Sequence, residues 1–250
     1  GEAAKADFYA IYPQREGNYE IKTASGYSAT NATFELNMPA SQTCVVAGTT
    51  PVMTTADMNA CFMYAKTGNV DNGSPEVDLE FNPLSTAIRF TLHGPQNAGT
   101  VTVSRIRLIG PSGAALTGKF NVNLTSGTPV VTPVPGQTSN IVNVYARYAN
   151  DAYLQLSNGQ SVELNAFIIP VDGLTINENW KLEVTLANGD QVTKTLRKAD
   201  DTYNTNLIAG MIHRLGDMPM LPNEDLDPTK WMEFIPRNVY LSEISIPGSW

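Results

Sequence analysis

The 250-residue chain is 42% hydrophobic and 16% charged, which provides enough apolar material for a packed core and excludes wholesale disorder. Its length allows one large domain or two ordinary ones. The formal net charge is −8 and the 16 basic residues are scattered, which argues against nucleic acid as a partner because phosphate binding needs clustered Lys and Arg.

Alternation of apolar and polar residues predicts about ten β-strands and no helix of ordinary length. A change of phase between Val103 and Ile106 predicts a bulge within one strand. Short helical turns are expected within residues 55–63 and 228–232. In chain order, the predicted strand segments are 8–12, 33–38, 77–81, 84–92, 101–108, 120–124, 141–145, 162–169, the hairpin 180–196, and 211–215.

Two connections between these strands carry specific predictions. Residues 125–140 are rich in Pro, Thr and Ser and are predicted as a loop. Asn188-Gly189 is predicted as a two-residue hairpin turn, since both central positions of such a turn need positive φ.

Turn-rich segments divide the chain into three predicted parts. A boundary at Gly73-Ser74-Pro75 separates an N-terminal β domain, residues 1–75, from a C-terminal β-sandwich domain, residues 76–222. An acidic stretch then opens a linker with a C-terminal strand appendage, residues 223–250.

The appendage is apolar and strand-forming, although it stands at a chain end. An exposed strand of this kind aggregates unless it pairs with a partner. Two alternatives stay open: the strand folds back onto its own domain, or it completes a neighbour's sheet by strand addition. The candidate strand-donating residues are Val239, Tyr240, Leu241, Ile244 and Ile246.

The two cysteines, Cys44 and Cys61, are too few for a structural zinc site, which needs four ligands. Two states stay open for them. A disulfide would stabilise the fold by roughly 3 kcal/mol in the chain-entropy model. We favour two buried free thiols, because free Cys is readily buried.

No catalytic, cofactor-binding or metal-ligating residue is predicted. His93 and His213 are the only histidines, and the chain has neither a Gly-x-Ser-x-Gly elbow nor a His-Glu-x-x-His helix. Asp78 and Glu80 share one face of a predicted strand and are interpreted as its solvated face. We therefore expect a protein that is not an enzyme.

Three tyrosines suggest an alternative function. Tyr145, Tyr148 and Tyr153 lie on a predicted β scaffold, where aromatic rings can form a platform for a glycan. Packing in the core or at a sheet edge is the commoner explanation. A surface glycan-binding module is the alternative that this leaves open.

Four stretches of aromatic and apolar residues resemble the fimbrillin superfamily of Bacteroidales pili. They are similar to its aromatic strand ending in Tyr-Pro, its Leu-Met-Tyr-Ala segment, the strands that open its second domain, and its Gly-Lys-x-Tyr-x-Leu strand. Met211 and His213 depart from the Lys and Tyr of that last strand. The stretches are Phe8-Tyr9-Ala10-Ile11-Tyr12-Pro13, Ala60-Cys61-Phe62-Met63-Tyr64-Ala65, residues 79–90, and Gly210-Met211-Ile212-His213-Arg214-Leu215.

The resemblance implies an all-β fold of two β-sandwich (transthyretin-like) domains, the first of them short for the family. It implies a structural subunit or adhesin of a cell-surface pilus (fimbria), assembled when a strand of one subunit fills a groove in the next. Other pilus subunits are the implied partners, with a host surface protein or glycan as a further one. It also implies anchoring at the outer membrane through a lipidated leader, which we expect to have been removed before Gly1.

A second likeness concerns the end of the chain. Residues 241–249 resemble the opening motif of phosphatidylinositol phospholipase domains, in which the motif continues into a catalytic His. Trp250 stands here instead, so no catalytic residue is carried over. If this likeness holds, a further domain follows the chain.

Overall fold

The computed structural model describes residues 5–13, 22–23, 32–48, 54–71, 73, 76–95, 99–177, 179–195, 205–219 and 234–240. These residues form strands and one short 3-10 turn, Met58–Ala60, and no α-helix occurs among them, so the predicted all-β class is confirmed. The predicted turn at 228–232 lies outside the described residues. The strands are β1 Lys5–Tyr12, β2 Lys22–Thr23, β3 Thr33–Met38, β4 Ser41–Val46, β5 Thr54–Thr55, β6 Met63–Asp71, β7 Phe81–Pro83, β8 Thr86–His93, β9 Thr100–Ile109, β10 Thr117–Asn123, β11 Val130–Ser139, β12 Ile141–Tyr148, β13 Leu154–Ser157, β14 Ser161–Ile168, β15 Thr175–Ile176, β16 Lys181–Leu186, β17 Gln191–Thr195, β18 Thr205–Asn206, β19 Met211–Pro219 and β20 Phe234–Tyr240.

The strands form three larger sheets and two small ones. The large sheet has the order β17-β16-β9-β12-β4-β5, with β13 also paired to β9. The middle sheet has the order β14-β8-β19-β20, and the outer sheet has the order β11-β10-β3-β2. A three-stranded sheet, β1-β6-β7, and the pair β15-β18 complete the described part of the fold.

The middle sheet is covered on both faces by hydrophobic clusters. Ile88 and Phe90 of β8 belong to a first cluster, shared with the large sheet. Ala87 of β8 and Phe167 of β14 belong to a second cluster, shared with the outer sheet. Because successive side chains of a strand point to opposite faces, β8 contributes to both clusters, which explains its almost continuous burial.

Pairing joins segments from the two sides of the predicted boundary at residue 75. β3 pairs antiparallel with β10, and β4 pairs parallel with β12. The division into domains at residues 75 and 222, and the number of domains, stay predictions.

The predicted loop at 125–140 is wrong, because residues 130–139 form β11. This strand lies at the edge of the outer sheet, where prolines are tolerated because one side of the strand makes no ladder bonds. Its register against β10 jumps from Thr138 opposite Gly118 to Pro133 opposite Phe120. The jump places the intervening residues, including Pro135, outside the regular ladder.

The predicted strand at 77–81 is also wrong for most of its length. Only Phe81 enters a strand, and β7 pairs with β6 through residues 81–83 alone. Leu79 is 37% exposed. Alternating residues ahead of Phe81 thus gain neither a ladder partner nor a core to pack against.

Two local predictions concern β9 and the β16–β17 hairpin. The bulge in β9 is confirmed, because the register with β16 shifts where Thr185 lies opposite Arg105 and Leu186 opposite Val103. The hairpin is confirmed, but its two-residue turn is wrong. Leu186 N–H donates to the Asp190 carbonyl at 2.8 Å, and positive φ occurs only at Gly189 in the described turn, which makes a three-residue loop.

Candidate strand-pairing site

The C-terminal strand predicted from the sequence lies against β19 in the middle sheet. β19 runs parallel to β8, with Ile212 opposite Ala87. On its other side it runs antiparallel to β20, with Ile212 opposite Val239 and Met211 opposite Tyr240. β19 therefore lies between β8 and β20, and the C-terminal strand is added to the sheet through β19.

Side chains of β19 anchor this strand in both hydrophobic clusters. Ile212 is buried in the second cluster and Leu215 in the first. His213, between them in sequence, is also fully buried, and its Nε2 accepts a hydrogen bond from the Ile208 N–H at 3.3 Å. Burial lowers the pKa of His213 to about 4, so the imidazole is neutral at pH 7.

A charged network connects β14, β8 and β19 of this sheet. Arg214 of β19 donates to Glu163 Oε2 of β14 at 3.1 Å, and Arg89 of β8 pairs with Glu163 Oε1 at 3.1 Å. Arg89 Nε also donates to Asn165 Oδ1 at 2.9 Å. The Arg89 side chain is only 11% exposed, so losing Glu163 would leave a largely buried guanidinium without its carboxylate.

The opposite edge of the middle sheet, along β14, is closed by side chains of β4. The Gln42 amide donates to the Phe167 carbonyl at 2.7 Å and accepts from the Phe167 N–H at 2.8 Å. The Cys44 thiol donates to the Asn165 carbonyl at 3.3 Å. Side chains thus satisfy backbone groups that would otherwise be open to another strand.

A residue of β5 continues this closure. Thr54 Oγ1 donates to the Glu163 carbonyl at 2.8 Å, so three alternate residues of β14 have their outward carbonyls covered. Closed edges prevent uncontrolled pairing, whereas the outer side of β19 is paired with a whole strand, β20. Sequence reasoning missed this closure. The only local signal in the sequence is that Cys44 and Val46 stand at alternate positions of β4, and the polar Gln42 occupies the preceding position on the same face.

The two cysteines are free thiols and do not form a disulfide. Cys44 is buried in the first hydrophobic cluster and Cys61 in the second, which explains why they are not paired. Burial raises the pKa of each thiol to about 11, so both stay protonated and unreactive at neutral pH.

The candidate strand-donating residues are placed only in part. Val239 and Tyr240 end β20 and pair with β19 of the same chain. Leu241, Ile244 and Ile246 lie outside the described residues, as does the phospholipase-like stretch 241–249. Donation of this strand to a neighbour stays a proposal.

The three tyrosines are not brought onto one face. Tyr145 and Tyr153 flank Arg147, whose guanidinium lies 5.8 Å and 3.7 Å from their ring centroids. Tyr148, three residues after Tyr145, is half-buried and packs against the first hydrophobic cluster. The guanidinium thus covers one face of Tyr153, the most exposed of the three rings.

The described residues contain neither a cluster suited to a metal ion nor a membrane-spanning helix. Within the described ranges, no group of three or more His, Cys, Asp or Glu is placed to hold a metal ion. Among the same residues, no helix has the length and apolar character to span a membrane.

Solved structures similar to this chain include two candidate cell adhesion proteins and a tip fimbrial protein. A candidate cell adhesion protein from Bacteroides uniformis aligns with 17% identity and a TM-score of 0.46, over 88% of this chain and 70% of its own. A candidate cell adhesion protein from Bacteroides ovatus aligns with 17% identity and a TM-score of 0.46, over 86% of this chain and 62% of its own. The tip fimbrial protein Mfa3 from Porphyromonas gingivalis, with a C-terminal truncation, aligns with 9% identity and a TM-score of 0.33, over 77% and 76% of the two chains. No curated protein matches this chain.

A family model covers most of the sequence. The model of fimbrillin-like proteins matches residues 2–215, a range that ends within β19 and leaves β20 outside it. The match covers all four stretches on which the resemblance in the sequence was based, and that resemblance is confirmed. The chain therefore belongs to the fimbrillin-like family.

Proposed function

We propose that this chain is a structural subunit of a cell-surface pilus, and that neighbouring subunits are joined by adding the C-terminal strand of one along the β19 edge of another. The observation that carries the proposal is the difference between the β14 edge and the β19 edge of the middle sheet. Side chains of β4 and β5 close the β14 edge, whereas the β19 edge takes a whole strand. Membership of the fimbrillin-like family supports the pilus role.

The connection between β19 and β20 supports an exchangeable strand. β19 ends at Pro219 and β20 begins at Phe234, so residues 220–233 separate two strands that are direct antiparallel neighbours. Hairpins of neighbouring strands usually need about 2–5 residues. Fourteen residues, 220–233, span about 45 Å when extended, which is enough to place β20 on the sheet of another copy.

Family membership also supports a location at the cell surface, within the fimbrium. Export with a lipidated leader, anchoring at the outer membrane and adhesion to a host protein or glycan are further parts of the proposal. The glycan-binding module stays the alternative, but Tyr148 packs against the first hydrophobic cluster, and the Arg147 guanidinium lies between Tyr145 and Tyr153 and covers one face of the Tyr153 ring.

The experiment uses the full chain with cysteines at Met211 and Tyr240, written Met211→Cys/Tyr240→Cys. These residues are opposite in the ladder, and Cα atoms of opposite residues in antiparallel strands lie about 4.5–5.5 Å apart, within the range that a disulfide spans. Oxidation of dilute monomer is expected to lock β20 to its own sheet. Electron microscopy should then show no filaments on concentration, and reduction should restore them.

The single variant Met211→Cys serves as the control for the substitution and for oxidation. Oxidising filaments that have already formed should give a covalent ladder on a non-reducing gel, because each bond then joins two subunits. A chain lacking residues 229–250 should fail to polymerise. Filament formation by chains that carry only intrachain disulfides would overturn strand exchange.

A further inference from the structure

A cleft of about 450 Å³ lies at the end of the middle sheet where β8 and β19 begin and β14 ends. Its walls come from residues 83–84 ahead of β8, residues 170–174 after β14, and residues 206–209 ahead of β19. Thr128 and Pro129, just ahead of β11, and Val131 within it line the other side. Its volume falls in the range of roughly 300–1,000 Å³ that binding pockets have.

The lining of the cleft combines apolar and polar surface. Leu84, Leu174 and Leu207 are buried, and Ile208 is 47% exposed although it is a large aliphatic side chain. Asp172 is the only charged residue among those that line the cleft. A ligand held by paired charges is therefore not indicated, whereas a peptide segment with both apolar and polar side chains fits the lining.

β20 ends at the same end of the middle sheet as this cleft. β20 runs antiparallel to β19, and its last residue, Tyr240, lies opposite Met211, the first residue of β19. Residues 206–209 of the cleft wall come shortly before Met211 in sequence. The C-terminal end of β20 therefore lies at the same end of the middle sheet as the cleft.

The residues that continue from β20 have the matching chemistry. Leu241, Ile244 and Ile246 are apolar, and Glu243 is the only charged residue of segment 241–246. An extended segment of six residues spans about 20 Å at roughly 3.3 Å per residue, enough to cross a cleft of this size.

We propose that this cleft is the docking site for residues 241–246 of the C-terminal segment that continues from β20. The segment is that of the chain that supplies the strand beside β19, so where strands are exchanged the inference rests on the proposed function. Docking would fix the register of β20. The β19–β20 ladder contains a register shift between Ile212 and Arg214, and contacts of the docked segment would add to those that set the pairing.

The test uses the full chain with the cleft pair Ala209→Cys/Ile244→Cys. Ala209 lines the cleft and is half-buried, so a small thiol there disturbs little packing. The negative control, Ala187→Cys/Ile244→Cys, has its thiol at the exposed β16–β17 turn. The positive control is the strand pair Met211→Cys/Tyr240→Cys. The buried native thiols, each with a pKa raised to about 11, stay out of disulfide exchange.

After mild oxidation, linked peptides are quantified by mass spectrometry. The cleft pair is expected to exceed the negative control by about tenfold or more, because docking would raise the effective concentration of residue 244 near residue 209. A second full-chain variant, Ile208→Asp added to the cleft pair, places a carboxylate at an exposed position of the wall and should reduce the linked fraction about fivefold or more by disfavouring apolar contact. This variant distinguishes docking from chance proximity.

The outcomes separate the two proposals. Linkage of the strand pair without excess linkage of the cleft pair overturns docking, including the case in which another partner fills the cleft, and leaves strand pairing intact. Excess linkage of the cleft pair without linkage of the strand pair supports docking and overturns the proposed function. Linkage of neither pair overturns both. Linkage of both, within or between chains, supports docking.

Discussion

Substitution of Gln42 tests how its side chain stabilises the middle sheet and closes the β14 edge against another strand. Its side chain is 1% exposed and makes two hydrogen bonds to the backbone of Phe167, at 2.7 Å and 2.8 Å. The substitution Gln42→Ala removes both and leaves a buried N–H and a buried carbonyl without these partners. It also opens one position of the β14 edge.

The expected loss of stability follows from these two groups. Each buried backbone group left without a partner costs about 1–3 kcal/mol, so Gln42→Ala should lower the free energy of unfolding by roughly 4 kcal/mol. For a protein of this size, 1 kcal/mol shifts the melting temperature by about 2–4 °C. The melting temperature of Gln42→Ala is therefore expected to fall by roughly 12 °C.

Chemical unfolding in urea, followed by fluorescence, measures the free energy. Gln42→Met is the matched variant, because Met has a similar length and fills the space but does not make the two bonds. Gln155→Ala, at an exposed position of β13, should change stability by no more than about 0.5 kcal/mol. Light scattering should show more self-association of Gln42→Ala than of Gln155→Ala, because the substitution opens part of the β14 edge to another strand.

Wild-type stability of Gln42→Met would refute this reasoning. It would mean that the two hydrogen bonds contribute nothing beyond the volume that the Gln42 side chain fills. A stability loss confined to Gln42→Ala would then be due to the cavity alone.

Two further predictions concern β19 and the turn before it. Gly210 has a φ of +80°, and a Cβ there would lie 2.5 Å from Pro83 Cγ, so Gly210→Ala should lower the free energy of unfolding by about 1–3 kcal/mol in urea, while Gly127→Ala, with open space around it, should stay near wild type. The folded pKa of His213, about 4, lies below its unfolded value of 6.5, so the unfolded state binds the proton first and stability should fall by up to about 3 kcal/mol from pH 6.5 to pH 4. Urea unfolding of wild type and His213→Gln across that range checks this, and equal pH slopes would contradict it.

Strands whose side chains alternate cleanly were predictable from the sequence. Phe34, Leu36 and Met38 predicted β3, and the change of phase after Val103 predicted the bulge of β9. Both signals are local, because the two-residue side-chain period needs no knowledge of the partner strand. β4 escaped prediction because Gln42, a polar residue, occupies an inward position.

The predictions were wrong where the neighbouring strand, rather than the local sequence, determines the structure. Pro133 suggested a loop, but an edge strand beside β10 accepts a proline. The candidate site shows the same limit. The apolar tail predicted a pairing strand at Val239 and Tyr240, whereas its place beside β19 depends on residues far away in sequence. The closure of the other edge joins Gln42 to Phe167 across 125 residues, a contact that no local pattern contains.

The unequal edges of the middle sheet also constrain the symmetry of an assembly. A donated β20 and an accepting β19 edge are different surfaces, so serial exchange is a heterologous association. Unless two chains exchange strands reciprocally and close a dimer, such an association gives a filament with polarity. One terminal subunit would then present an unoccupied β19 edge and the other an undonated β20, so the two ends of the filament would differ chemically and would grow by different reactions.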